Sequence, residues 1–372
     1  MSFPYDQLIE TIAATAARHA AEVDRGAFPT QTLRELGETG LLGLVSATAV
    51  GGKGLGLPAA AFVVERLARE CGSTAMIVCM HYCATATLEQ HGSDEIRAAI
   101  AAGKHLSTLA FSEVGSRSHF WAPLGTARPD GSDVVLDGRK SWVTSARHAD
   151  SYVWSSKPVA GSEASTLWLV PRTAGGLRVA DAAFDGLGLR GNDSSPATAE
   201  GVRVPAAARL GADGGGFGIM MGTVLPWFNV LSASVSTGLM EAATQKTAAH
   251  AAATGFQHLG TSIAELPTAR AYIARMRIAT DQNKALVADT LAAIAGNRAD
   301  TMLRVLESKA AAGEAAAQVT DLAMRVCGGA AFRKDVGVER IFRDARAALV
   351  MAPTTDALYD FIGKAVCGLP VF

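Results

Sequence analysis

What most restricts the fold of this chain is the length of its uninterrupted helical pattern. From Pro226 onward, apolar residues recur at three- and four-residue spacing in "NVLSASVSTGLMEAATQKTAAHAAAT", "IAELPTARAYIARMRIATDQNKALVADTLAAIAG" and "NRADTMLRVLESKAAAGEAAAQVTDLAMRVCGG". Each stretch is about thirty residues and rich in alanine. Helices in proteins are held mainly by burying an apolar face, so long ones in succession must pack on one another. A four-helix bundle over 213–372, closed by a final segment containing "VERIFRDARAALVMAPTTD", is therefore predicted.

Two other patterns precede it. Residues 106–212 fall into short alternating runs, "LSTLAFSEV", "VVLDGRKSWVTS", "ADSYVWSSK", "STLWLVPR", "LRVADA" and "ATAEGVRVP". They read as β-strands, with turns expected at Asp130-Gly131 and Asp137-Gly138. Residues 1–105 read as helices, including "LIETIAATAARHAAEV" and the single stretch "PAAAFVVERLARECGSTAMIVCMHYCATATLEQHG". The glycine-rich "AVGGKGLGLP" lacks the strand-before, helix-after setting of a phosphate-binding loop. The fold class is thus α+β and multidomain. A helical domain (1–105) comes first, then a β-sandwich or barrel-like domain (106–212), then the bundle (213–372).

The bulk chemistry narrows the function. The 372 residues are 49% hydrophobic and 19% charged, which suits a compact protein with apolar surface left for subunit contacts. Lys+Arg (34) and Asp+Glu (35) nearly cancel, so no nucleic-acid partner and no membrane-surface partner is expected. No run of about eighteen apolar residues is found, and the polar, amphipathic start is not that of a signal peptide. The five cysteines show no metal-type pairing. A cytoplasmic protein with reduced core thiols and no metal is the expectation.

Four motifs then give the architecture a meaning. They are "LAFSEVGSRSHF" (109–120), "GRKSWVTSA" (138–146), "GLGLRGNDSSPATAEGVRVP" (186–205) and "RVCGGAAFRKDVGVERIFRDAR" (325–346). A large flat ring with a polar edge needs an aromatic wall, a few hydroxyl or backbone donors, and glycines for close approach. In order and spacing these segments resemble the acyl-CoA dehydrogenase superfamily of flavoproteins over the whole chain. The resemblance implies FAD, with FMN or a supplied reduced flavin as alternatives. It assigns Trp142 to the wall, Thr144 to a hydroxyl near the reactive nitrogen, and Phe111 and Ser112 to the neighbouring strand. Gly328 and Gly329 would let the cofactor tail approach a helix end, with Arg325 adding charge. Thr354 and Asp356 would hold the cofactor at the start of the last helix, where they also suit helix capping. A homodimer or homotetramer follows, since the tail crosses a subunit interface in the family.

The same resemblance exposes a defect. Laid on the family's segment after R-D-A, the position of the proton-abstracting carboxylate falls on Ala352, and a methyl group accepts no proton. The minority alternative on the first bundle helix falls at Phe228 and Asn229, neither a carboxylate, and Asn229 also stands where a substrate-contacting arginine is common. Phe228, Asn229 and Ser118 are the expected substrate contacts. The family's cofactor-tail arginine falls on Phe256 and its phenylalanine on Leu259, in "GFQHLG". His81, His119 and Asp356 are candidate replacement bases, histidine having the suitable titration range. The reading is a flavin-dependent oxidoreductase acting on an acyl thioester or related small molecule with a non-standard base. An electron-acceptor protein or a flavin reductase would be its partner. A two-component flavin monooxygenase or oxidase on the same fold is the alternative, and a non-catalytic flavin or ligand-binding homologue the third reading.

Overall fold

The structure is a computed structural model that describes residues 4–116, 119–161, 165–258 and 260–371. The chain divides into two compact units. One takes the described residues of 1–60, 76–185 and 190–228, and the other those of 61–75, 186–189 and 229–372.

In the first unit the strands form two four-stranded sheets. One has the order Ser107–Ala110, Ser151–Ser156, Thr166–Pro171, Arg209–Leu210, its first pair parallel. The other has the order Thr126–Asp130, Asp133–Val143, Ser195–Pro205, Leu177–Val179, antiparallel throughout. Leu136, Val143, Ala197 and Val202 of one sheet share a core with Tyr152, Trp154 and Trp168 of the other. This is a sandwich, with inward residues alternating along each strand. The strand "TARPD" was not anticipated because it contains a proline; it lies at a sheet edge, where a missing ladder donor is tolerated.

The expected turn at Asp137-Gly138 is corrected by the structure. Those residues lie within the continuous strand Asp133–Val143, at a register offset against Ser195–Pro205. The Asp137 carboxylate accepts the Gly201 N–H at 2.7 Å, so the offset costs no donor and the strand runs on. A second offset falls between Lys140 and Val143. It leaves Lys140 and Val143 both buried and puts Trp142 outside.

Helices precede the strands in sequence, and residues 61–75 of them belong to the second unit. The single stretch expected over 58–92 is two helices, Leu57–Ala68 and Gly72–His91, broken at Arg69–Cys71. Most of Gly72–His91 is buried on every side, so an all-round apolar sequence is what it requires. Its Tyr82 hydroxyl donates to the Leu41 carbonyl at 2.7 Å.

A helical segment runs Gly216–Ala253, starting ten residues before Pro226 (226 − 216) with a π-helical turn at Met220–Val224. Proline has no N–H to give the carbonyl four residues back, and the wider turn carries the helix past that gap. This segment is also the one helix among the described residues long and apolar enough to cross a membrane by length and composition. Of its apolar window 78% is buried within the chain, as a core helix requires.

In the second unit, Leu225–Ala253 from Asn229 onward packs with Pro267–Ala295 and Thr301–Cys327. Three short helices follow, Val338–Ala345, Ala347–Val350 and Thr355–Val366. Glu241 ties two long helices together by accepting from Arg277 at 2.9 Å and Lys284 at 2.6 Å. Although burial alone would raise it, those two cations hold its carboxyl down at about 2. The arm Gly186–Leu189 lies against Val338–Ala345: the Asp344 carboxylate accepts the Leu189 N–H at 2.6 Å. Gly188 has no room for a side chain there, since an added Cβ would sit 2.4 Å from the Arg343 carbonyl oxygen.

Candidate active site

On the first unit, a buried ion pair sets the geometry. Lys140 Nζ lies 2.6 Å from Glu113 Oε1, with both side chains nearly sealed from solvent. Lys140 also donates to the Ser155 carbonyl and hydroxyl, each at 2.8 Å. Burial pushes its ammonium down to about 8, opposed by the Glu113 charge. Glu113 in turn accepts the backbone N–H groups of Leu124 and Gly125. The pair therefore pins the segment after Ser107–Ala110 to the strand that carries Trp142. Ser141 N–H donating to the Ser112 carbonyl at 2.9 Å completes that contact.

This arrangement brings four expected cofactor residues together. Phe111 is buried and stacks on Phe120 at 6.4 Å. Ser112 is half-buried beside it. Trp142 stands 65% exposed, with Phe184 edge-on at 6.4 Å. Thr144 shares a 3.2 Å hydrogen bond with the Ser194 hydroxyl. Arg147 holds the loop behind them, its guanidinium engaging Asp193, Ser195 Oγ and two carbonyls, while its backbone N–H donates to Asp193. Sequence reasoning missed Glu113, Lys140, Arg147 and Asp193. Lys140 carried a usable signal: it falls in phase with the inward Leu136, and a charge on an inward position implies a buried partner.

The two histidines have different surroundings. His81 is fully buried; its Nε2 lies 3.1 Å from the Leu42 carbonyl and its Nδ1 accepts the Ser107 N–H at 3.1 Å. Both nitrogens are thus used by backbone in the neutral ring, and desolvation pushes the ring down to about 4. This is a structural histidine with no lone pair left for a substrate proton. Its folded value lies below the ordinary 6.5, so its contribution is complete above pH 6.5 and is lost as pH falls toward 4. A difference of that size corresponds to about 3 kcal/mol. Urea midpoints of the parent should fall steeply between pH 6.5 and 4, and His81→Gln should flatten that slope; equal slopes would refute the assignment.

His119, by contrast, is exposed and meets Trp121 edge-on at 5.1 Å, while Phe120 packs Trp121 at 5.2 Å. Ser118 and Leu259 lie outside the described residues.

On the second unit, Asn229 is fully buried and its amide donates to the Val305 carbonyl at 3.1 Å, tying two helices. Phe228, one residue earlier and the last residue of the first unit, is 8% exposed. Neither presents a side chain broadly to solvent. Arg325 is exposed and lies over the Tyr272 ring at 4.8 Å, donating to its hydroxyl at 2.9 Å. Gly328, at φ 55°, ends the helix Thr301–Cys327 in a conformation that favours glycine, and neither it nor Gly329 has any atom within 4 Å of an added Cβ. Phe256 sits in a short hairpin, edge-on to His258 at 6.3 Å. Thr354 caps the helix Thr355–Val366 by accepting the Ala357 N–H at 3.3 Å, with Asp356 exposed in its first turn. Ala352 lies in the irregular segment between the last two helices, and Ala347–Thr354 carries no ionisable side chain.

These residues fit a flavin. On the first unit, an exposed indole on the strand that leads into Thr144, with its hydroxyl, suits a flat ring with a polar edge.

A helical domain, a β-sandwich and a helical bundle, in that order, are the architecture of a class of flavoprotein oxidoreductases. Comparison with known proteins gives the family. Models of the N-terminal, middle and C-terminal domains of acyl-CoA dehydrogenase match residues 5–103, 108–202 and 214–367, and the chain belongs to that family. It is 28% identical over 339 residues to the probable acyl-CoA dehydrogenase YngJ of Bacillus subtilis, covering 89% of this chain and 88% of that one. The fold superposes on glutaryl-coenzyme A dehydrogenase in its glutaryl-CoA complex with a TM-score of 0.92, at 23% identity over 100% and 97% of the two chains. The FAD complex of PigA gives 0.89, at 19% identity over 99% and 98%.

Proposed function

We propose that this chain is a FAD-dependent oxidoreductase acting on an acyl thioester or a related small substrate, with a base other than the family's carboxylate. The observation that carries the reading is Trp142, held 65% exposed on a strand whose neighbours Lys140 and Val143 are buried. When bound, the flavin supplies a hydride acceptor. Trp142 would cover one face of that ring, and Thr144 and Ser112 would donate to its polar edge. Because Ala352 cannot take the substrate proton, His119 is the proposed acceptor: His81 is committed to backbone, and His119 lies on the loop that stacks through Phe120 on Phe111. An electron-acceptor protein and a homo-oligomeric state complete the proposal.

The test is anaerobic mixing of the flavin-loaded protein with saturated acyl-CoA esters of graded length. Bleaching of the flavin absorbance is expected with at least one ester, and His119→Asn should slow it about a hundredfold. Persistent colour with every ester rejects the thioester reading. Oxygen uptake driven by a supplied reduced flavin would instead support the monooxygenase or oxidase alternative, for which the His119–Phe120–Trp121 aromatic cluster speaks.

A further inference from the structure

Lys309 sits on the helix Thr301–Cys327 with its side chain buried. Its ammonium donates to three backbone carbonyls of one stretch: Ala348 at 3.2 Å, Met351 at 3.0 Å and Pro353 at 2.7 Å. These oxygens bracket Ala352. Ala347–Val350 is a single helical turn and Met351–Thr354 is irregular, with the Thr354 cap at its far end. One helical turn beyond Lys309, Gly313 gives the same stretch a close seat: a Cβ there would meet Thr355 Oγ1 at 3.3 Å and Leu349 at 3.5 Å.

A buried amine among apolar residues is costly, and three carbonyl dipoles are what offsets that cost here. The same three bonds act in reverse on the chain they touch. A turn-and-loop whose carbonyls had no donor would leave buried acceptors unsatisfied and would open to find water.

We propose that Lys309 is a positioning residue, whose ammonium pegs the backbone of 348–353 and so fixes the place and direction of residue 352. The peg works on backbone alone and is therefore indifferent to the side chain at 352. Those three bonds are made with alanine at that position. The geometry stands apart from the flavin reading; only the consequence for a ligand rests on it.

The experiment is amide hydrogen exchange followed by mass spectrometry on the full-length protein, comparing the parent with Lys309→Met, which keeps the stem and removes the donors. Peptides covering 347–357 should exchange at least about tenfold faster, while those covering 225–253 and 267–295 stay within about twofold. Lys309→Gln, which keeps two N–H donors on a shorter stem, should fall between. Unchanged exchange at 347–357 overturns the proposal. So does an even rise across all the helices, which is what a merely structural lysine would give. If Lys309→Met fails to fold, Lys309→Gln is read against the parent by the same criteria. Because exchange needs no turnover, a negative result in the flavin-bleaching assay leaves this test intact, and the two failures are distinguishable.

Discussion

Ala352→Glu should raise the rate at which a saturated acyl-CoA reduces the bound flavin by about 10²–10⁴-fold over the parent, the range a positioned general base contributes. The expectation rests on two features. By the family resemblance, 352 is the position from which the proton is taken, and the surrounding backbone is kept in place by contacts that do not involve the alanine methyl. A glutamate there would be delivered by a segment already ordered through Lys309 and the Thr354 cap. Stopped-flow absorbance under nitrogen is the measurement. Equal rates in parent and variant, with the fold intact and thioester binding demonstrated, would show that residue 352 does not face the substrate.

The second large effect concerns stability. Lys140→Met should lower the unfolding free energy by about 3–5 kcal/mol, because it leaves Glu113 as an uncompensated buried charge. Domains have only about 5–15 kcal/mol to lose, so the variant should sit close to the limit of folding. Adding Glu113→Gln to Lys140→Met should recover most of the loss, since the orphaned charge is then gone while the Leu124 and Gly125 N–H groups keep an amide oxygen to bond. Urea unfolding of the single and double variants decides it. A double variant no better than the single would show that packing around the Lys140 stem, and not charge, sets the loss.

Much of this was legible from the residues. The bundle followed from helices too long to stand alone, and the sandwich from short alternating runs. Trp142, Thr144, Phe111 and Ser112 were singled out by the family resemblance, and the structure places them on adjoining segments of the sandwich. What failed were features that depend on distant partners. Asp137-Gly138 has the composition of a turn, but it lies in a continuous strand, and the extra residue of the offset is on the partner strand at Glu200-Gly201, whose Gly201 N–H reaches the Asp137 carboxylate. His81 has the chemistry of a base, yet its role is decided by Leu42 and Ser107, remote in sequence. Asn229 was expected to meet a substrate; its amide N–H goes to the Val305 carbonyl, which is remote in sequence, and its Oδ1 is buried. Lys309 escaped notice because its partners are carbonyls, which no side-chain pattern records.

The offset between Lys140 and Val143 has an evolutionary corollary. An odd number of steps separates two interior positions, so what reaches solvent is decided by counting residues and not by their polarity. Point changes at 141 or 142 would leave the phase of the strand untouched. Loss of Ser141 would bring the strand back to plain alternation, with Lys140 and Val143 inward and Trp142 still outside, so the offset can be removed without turning the indole.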